Sequence, residues 1–318
     1  MKTKHLLPLL AAIMVSFSLQ AQTNENVLNA SDTPETQMLA QPFSEIVISG
    51  NFNVILSQGM TNQYRVDADT YLVSLISPVI KKNVLTIQMD KKAAKEMKNR
   101  ANKINVYITI VNLEKLTISD DCTIDPQTAF NCKDLTIRMK SSTLKPMNLV
   151  AKKLVLQLDK ASKAEISAQV SSIRGAIKSS SNIAINGVSI SSLDLLIDAS
   201  TIALNGRISG CELNLKGASK AQASLTSDKI NATLSGSSTI TLEGTASSEK
   251  FSAKGGSTIH AEKMLVGDAT VSLAGSSTAT VTSRKTLNAD LAGSSRISYV
   301  ENGQKKEITS AGKFKFKF

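Results

Sequence analysis

Ser219-Lys-Ala-Gln-Ala-Ser-Leu-Thr-Ser-Asp-Lys-Ile-Asn-Ala-Thr-Leu-Ser-Gly-Ser-Ser-Thr-Ile-Thr-Leu-Glu-Gly244 contains one repeat and the start of the next. After Ser219, Ala221 and Ala223 alternate with Lys220 and Gln222; after Ser238, Ile240 and Leu242 alternate with Thr239 and Thr241. Such in–out alternation marks a short strand with one buried face. Between the two serines, Ile230, Ala232 and Leu234 alternate in the same way, which predicts a second strand ahead of the Ser-Gly-Ser-Ser corner.

Working outward, the corner residue recurs as Cys122, Ser142, Ser162, Ser181, Ser200, Ser219, Ser238, Ser257, Ser277 and Ser295, at intervals of 18 to 20 residues. A fixed period over that many copies means stacked units, each burying its apolar face against its neighbours. Two residues past the corner, Ile124, Leu144, Ala164, Ile183, Ile202, Ala221, Ile240, Ile259, Ala279 and Ile297 are all apolar. Four residues past it, Pro126, Pro146, Ile166, Ile185, Leu204, Ala223, Leu242, Ala261, Val281 and Tyr299 are expected to face inward as well. In the coils of Ser142 and Ser200 the upstream strand (Leu135/Ile137/Met139 and Leu193/Leu195/Ile197) lies one residue closer and the corner is one residue shorter, which keeps its side chains pointing inward. Gly187, Gly206 and Gly244 fall where a second corner needs a permissive backbone. Val170, Val188, Ile208 and Met264 are candidates to anchor a third side.

The fold expected is therefore all-β: a single-stranded parallel β-helix of about ten coils with a period near 19 residues. A left-handed hexapeptide helix is the alternative, with its six-residue apolar spacing only partly met. The corner serines predict a ladder in which hydroxyls bond between rungs.

Residues 1–21 read as a secretory signal, with Lys2 and Lys4 ahead of the apolar run Leu6 to Leu19 and Ala21 at the cleavage point. Residues 22–42 read as a polar linker, 43–115 as strands that start or cap the stack, 116–300 as the coils and 301–318 as a closing strand. The apolar run is too short to span a bilayer, which needs roughly 20 apolar residues. The protein is thus expected to be exported, to the periplasm, the outer surface or the medium, with no transmembrane segment. The whole chain carries a net charge of +11; without the signal, about +9 remains on formal counting. Export argues against a nucleic-acid partner and leaves anionic glycans or lipid headgroups within reach of that charge. Lys91 to Lys103 is the most basic stretch and permits a short helix; as a docking patch it competes with a simple solvated excursion. In the tail, Lys-Phe-Lys-Phe-Lys-Phe318 alternates strictly and is expected to pair as the last rung, its lysines guarding the edge.

Phe43-Ser-Glu-Ile-Val-Ile-Ser-Gly-Asn-Phe-Asn-Val-Ile-Leu-Ser-Gln-Gly59, Val84-Leu-Thr-Ile-Gln88, the corners Gly217-Ala-Ser219, Gly236-Ser-Ser238, Gly275-Ser-Ser277 and Gly293-Ser-Ser295, and Ile297-Ser-Tyr-Val300 together resemble the auto-transporter adhesin head GIN domain family of exported bacterial proteins. The resemblance covers residues 43–300 and implies a right-handed β-helix in a secreted or surface protein. It brings no catalytic residues with it. Asp-Asp-Cys122 and Lys-Ser-Ser142 depart from the family's corner, and no translocating barrel follows the repeats.

No catalytic, cofactor-binding or metal site is assigned, no cofactor is expected, and the ligand-binding residues are unknown. Beyond the signal, His260 is the one histidine, so neither a Ser-His-Asp triad nor a His-Glu-x-x-His zinc site can be built. Glycan-cleaving solenoids need clustered carboxylates, whereas Asp125 and Glu165 are separated by Lys145, and Asp159, Asp198 and Asp290 sit at differing offsets. The threonine pairs Thr239/Thr241 and Thr278/Thr280 are broken as an array by Lys163, Lys220, His260 and Arg296. Cys122 and Cys132 fall half a coil apart, and Cys211 lies roughly 19 Å along the stack from Cys132 at 4.8 Å per coil, beyond the ~7 Å a disulfide tolerates. The function expected is that of a non-enzymatic, adhesin-like binding protein presenting its faces to a glycan or protein at the cell envelope. A polysaccharide lyase or hydrolase and a purely structural envelope component are the alternatives.

Overall fold

Alternating apolar residues fold each repeat into one long strand that bends round the coil and breaks only at the serine corner. The computed structural model describes residues 36–38, 42–67, 75–90, 94, 104–301, 304–309 and 311–318. The signal, residues 22–35 and 39–41 of the linker, and Lys91 to Lys103 apart from residue 94 lie outside the described residues. In chain order the strands are β1 (Thr36–Met38), β2 (Glu45–Ser49), β3 (Phe52–Gln58), β4 (Gln63–Asp67), β5 (Ile76–Lys81), β6 (Val84–Met89) and β7 (Ile104–Ile110). They continue with β8 (Lys115–Ser119), β9 (Thr123–Pro126), β10 (Phe130–Lys140), β11 (Thr143–Asp159), β12 (Lys163–Lys178), β13 (Asn182–Asp198) and β14 (Thr201–Lys216). The last are β15 (Lys220–Leu234), β16 (Thr239–Ala253), β17 (Thr258–Leu273), β18 (Thr278–Leu291), β19 (Arg296–Glu301), β20 (Gln304–Ile308) and β21 (Gly312–Lys317).

From β10 to β18 every strand pairs in parallel with the next, residue on residue at the repeat spacing: Ile183 on Ile202, Ala221 on Ile240, Leu215 on Leu234. The result is a β-solenoid of about ten turns with the expected period. All ten residues two past the corner are buried, and so are eight of the ten residues four past it. The two exceptions are the prolines. Pro146 is exposed and Pro126 half-buried, while Met147 takes the inward place opposite Ile166 across a register shift. Pro146 has no N–H for the ladder, and the strand bulges one residue past it, whereas Pro126 keeps its register opposite Leu56. On the third side Val170, Ile208 and Met264 are buried as expected, and Ile190 sits between the first two in register. The Val188 side chain lies outside the described ones.

At the main corner the backbone must turn through the left-handed region. Asp120–Asp121, Ser141, Lys160–Ala161, Ser179–Ser180 and Ala199 do so as ordinary L-residues, at φ between 45° and 65°. From the Ser219 coil onward glycine takes the position: Gly217, Gly236, Gly255, Gly275 and Gly293, at φ of 66° to 79°. A left-handed conformation costs a non-glycine residue roughly 1–2 kcal/mol, so the later corners are the less strained half of the stack. The second corner behaves likewise at Gly206 and Gly244, where an added Cβ would fall 1.8 Å and 2.1 Å from a carbonyl oxygen of the rung beneath.

The serine that follows is buried in every coil that has it. Its hydroxyl does not run a chain from serine to serine. Instead it donates to backbone: Ser277 Oγ to the Ala274 carbonyl at 2.8 Å and to Gly255 of the rung beneath at 3.3 Å, with the same pattern at Ser238 and Ser257. Only at Ser181 and Ser200 does the hydroxyl accept from the serine N–H of the preceding rung, at 3.2 Å. The ladder thus gives the Ser235, Lys254 and Ala274 carbonyls of the corner a hydroxyl donor, and adds a longer second bond to the Gly217, Gly236 and Gly255 carbonyls, which already accept from backbone N–H groups.

The chain enters the stack one rung in. β2 lies between β6 and β8, and β3 between β7 and β9, all parallel, so the end rung is built from residues that come later in sequence. Over that rung β5 pairs antiparallel with β6, β4 with β7, and β1 with β4. At the other end β20 pairs antiparallel with β19 and β21 with β18. The tail therefore closes the stack by reversing direction and not as a further parallel rung. Phe314 and Phe316 pack against the core, Phe316 at 4.9 Å from the Tyr299 ring, while Lys313, Lys315 and Lys317 stay exposed. Covering both ends removes the open sheet edges that make a bare solenoid aggregate.

Candidate functional site

With the interior filled by side chains, contact with anything else falls to the outward columns. The strand ahead of the main corner presents one such face. Thr117, Arg138, Gln157 and Ala176 lie in register on successive rungs of β8, β10, β11 and β12, because alternate residues of stacked parallel strands must project from one face. Beside them, Ser119, Lys140 and Asp159 form a second column, which runs on through Lys178, Asp198 and Lys216. From Thr117 to Lys178 the two columns line a shallow groove of about 390 Å³, and Asp198 and Lys216 lie beyond it. Charge alternates in sign from Lys140 to Lys216, so the column offers donors and acceptors in turn with little net field.

At the corner end of this face the carboxylates are fixed in the ionised form. The Ser49 hydroxyl, donating at 2.5 Å, is the main reason Asp120 sits below the usual carboxylate range, helped by Ser119 at 2.8 Å and by the charges of Lys140 and Lys160, while burial pushes the other way. Asp159 is lowered chiefly by the Ser179 hydroxyl, and then by the Lys160 backbone and the charges of Lys160 and Lys140, against a smaller rise from burial. A general acid for glycoside cleavage needs the opposite, a carboxyl whose proton is retained near neutral pH.

The remaining polar candidates stay apart. Asp125 is taken up by Lys145, Nζ to Oδ2 at 2.6 Å, a largely exposed pair worth at most about 1 kcal/mol. Glu165 is exposed on the following coil, across the β11 bulge. His260 is exposed between Thr241 and Thr280. Asp290 stands opposite Lys313 in a second groove of about 370 Å³, between β17, β18 and β21. Asp198 belongs to the alternating column. Among the described residues no three His, Cys, Asp or Glu side chains come close enough to hold a metal ion.

The three cysteines are buried in three different columns: Cys122 in the serine ladder, Cys132 opposite Ala151, and Cys211 between Leu193 and Ile230. Burial pushes the Cys132 thiol up to about 11, against a backbone hydrogen bond with Leu113 that lowers it. Burial raises Cys211 to about 12, with the Glu212 charge adding to the rise. Neither is a nucleophile at ordinary pH.

One residue escaped the sequence reading although the column count contained it. Glu249 falls eight residues before Ser257, the place held by Ile230 before Ser238 and Leu287 before Ser295. It is buried in the interior, where desolvation holds its carboxyl well above the usual range. The carboxyl that keeps its proton is therefore the one no external substrate touches.

Among the described residues no helix is long and apolar enough to cross a membrane. A family model described as "Putative auto-transporter adhesin, head GIN domain" matches residues 42–205 and 196–303. No curated protein matches the chain. Among solved structures, a "putative adhesin" from Bacteroides fragilis is 17% identical, with 72% of this chain and 97% of that chain covered and a TM-score of 0.47. A "putative lipid binding protein" from Parabacteroides distasonis is 16% identical over 85% of this chain and 98% of that one, with a TM-score of 0.46. A "putative adhesin" from Parabacteroides merdae is also 16% identical, over 86% and 98%, with a TM-score of 0.39.

Proposed function

Because the chain belongs to the family described as "Putative auto-transporter adhesin, head GIN domain", we propose that it is an exported, non-enzymatic binding protein that presents its solenoid face to a glycan or protein of the cell envelope. The observation that carries this reading is the pair of in-register polar columns Thr117, Arg138, Gln157 and Ser119, Lys140, Asp159. They repeat hydrogen-bonding groups at the rung spacing on a rigid support. A face of that kind suits an extended partner that itself repeats, since each rung adds one more weak polar contact without reorganising the protein. Its carboxylates are held ionised and are flanked by lysines, which supports recognition over acid catalysis.

The test is a glycan array and an envelope-protein pull-down with the exported chain, repeated with Arg138→Ala/Gln157→Ala. Saturable binding that falls at least tenfold in the double variant, with unchanged thermal stability, supports the reading. The same binding in both proteins places the contact elsewhere, and release of reducing ends or unsaturated sugars from any bound glycan replaces this reading with the enzymatic one.

A further inference from the structure

We infer that the coil built by β16 is a proton-held seam: the stack stays closed there while Glu249 is neutral and opens between β15 and β17 when that carboxyl ionises. Glu249 is only 2% exposed, and it alone among the buried described residues carries an ionisable acid or base other than a thiol or phenol. Both of its carboxylate oxygens lack a hydrogen-bond partner. Its column explains why. In register with it lie Ile230 on β15 and Ala269 on β17, so the carboxyl sits sandwiched between apolar rungs.

No neighbouring group can stabilise the charge. The inward residues of β15 are Ala221, Ala223, Leu225, Ser227, Ile230, Ala232 and Leu234, and the Ser227 hydroxyl is already engaged with the carbonyls of Ser209 and Lys229. Those of β17 are all aliphatic, Met264 included, and β16 itself adds Ile240, Leu242, Phe251 and Ala253. The charged side chains that flank this column in sequence, Asp228 and Lys229 on β15, Lys250 on β16 and Asp268 on β17, are all exposed. Two rungs down the same column, Cys211 holds its proton to about pH 12 and does not titrate with it.

An isolated carboxylate cannot be held in such surroundings, so the group stays neutral in the closed coil and ionises only where water reaches it. The local consequence follows from the one-dimensional build of a solenoid, where a coil is held by its two neighbours alone. Above the unfolded glutamate range near pH 4.3, the open form gains a charge the closed form lacks. Its population then rises about tenfold per pH unit until the closed form also ionises.

The experiment is hydrogen exchange by mass spectrometry on the wild type, Glu249→Gln and Glu249→Ile from pH 5 to 8, corrected for the intrinsic rate. Protection of β15, β16 and β17 should fall by up to tenfold per pH unit in the wild type and stay flat in both variants, with β11 and β12 unaffected throughout. Equal pH slopes in the wild type and in Glu249→Gln would overturn the seam, as would an equal slope in β11 and β12. Should either variant fail to fold, the carboxyl carbon shift of labelled Glu249 in the folded wild type decides. A protonated signal at pH 6 supports the seam and an ionised one refutes it.

Discussion

Gly236 offers the sharpest test of how the corners hold the stack. It turns at φ 77°, and a Cβ built on it would lie 2.5 Å from the carbonyl oxygen of Gly217 in the rung beneath. Gly236→Ala thus incurs two costs. The left-handed backbone costs about 1–2 kcal/mol with a side chain present, partly offset by roughly 0.4–1 kcal/mol because alanine restricts the unfolded chain. The contact adds more, because the obstructing atom is backbone: Ser237 N–H donates to that same Gly217 carbonyl at 2.8 Å, so moving it loosens the rung. A total loss of about 2–3 kcal/mol is expected. Gly256 provides the control at the corner of the next rung, where its N–H donates to the Gly236 carbonyl. Its φ is not in the left-handed region, and the nearest atom to an added Cβ is the Gly236 oxygen at 4.0 Å. Gly256→Ala should be neutral or stabilising by up to about 1 kcal/mol. Because a long repeat array need not unfold in one step, exchange protection of the Ser219 to Ser257 coils should be measured beside the urea midpoint. Equal destabilisation by the two substitutions, or none by Gly236→Ala, would refute the account of the corner.

Ser277→Ala removes the hydroxyl that donates to the Ala274 carbonyl and, more weakly, to the Gly255 carbonyl, which keeps its bond from the Ser276 N–H, and should cost about 1 kcal/mol in urea unfolding. Thiol alkylation at pH 8.5 should be slow at Cys132 and Cys211 in the folded protein and fast after denaturation. Burial raises both thiols to about 11 and 12, so the reactive thiolate is suppressed until unfolding returns them to the ordinary range. Mass spectrometry of the alkylated peptides, with no prior reduction, checks this. Truncation after Glu301 would strip β20 and β21 from β19 and β18 and uncover Tyr299. Light scattering should then report concentration-dependent association that the full chain does not show.

Period and alternation are local properties, and they were legible residue by residue. The corner series from Cys122 to Ser295 and the apolar column from Ile124 to Ile297 sit in the structure as the spacing predicts. They could be read because a stacked coil repeats one local environment, so each column reports the same constraint up to ten times. The prolines failed for a local reason of a different kind. Pro146 is apolar and in phase but has no N–H for the ladder, and Met147 moved into its inward place, whereas Pro126 keeps its register opposite Leu56 and is only half-buried. The candidate face was less legible. Arg138, Gln157 and Asp159 are ordinary polar residues until stacking brings them onto one surface.

By itself, then, the sequence determined an all-β solenoid, its period and its inward columns, because burial on one side of a repeating strand leaves its imprint at every turn. Tertiary structure alone decided the order of the first rungs, where β6 and β7 come to lie outside β2 and β3, and the antiparallel closures at both ends. Those contacts join unlike segments once each, so no repetition announces them. Tertiary structure also decided the state of Glu249. Its column could be counted from the chain, but the lack of any partner for its carboxyl depends on what every surrounding rung turns inward.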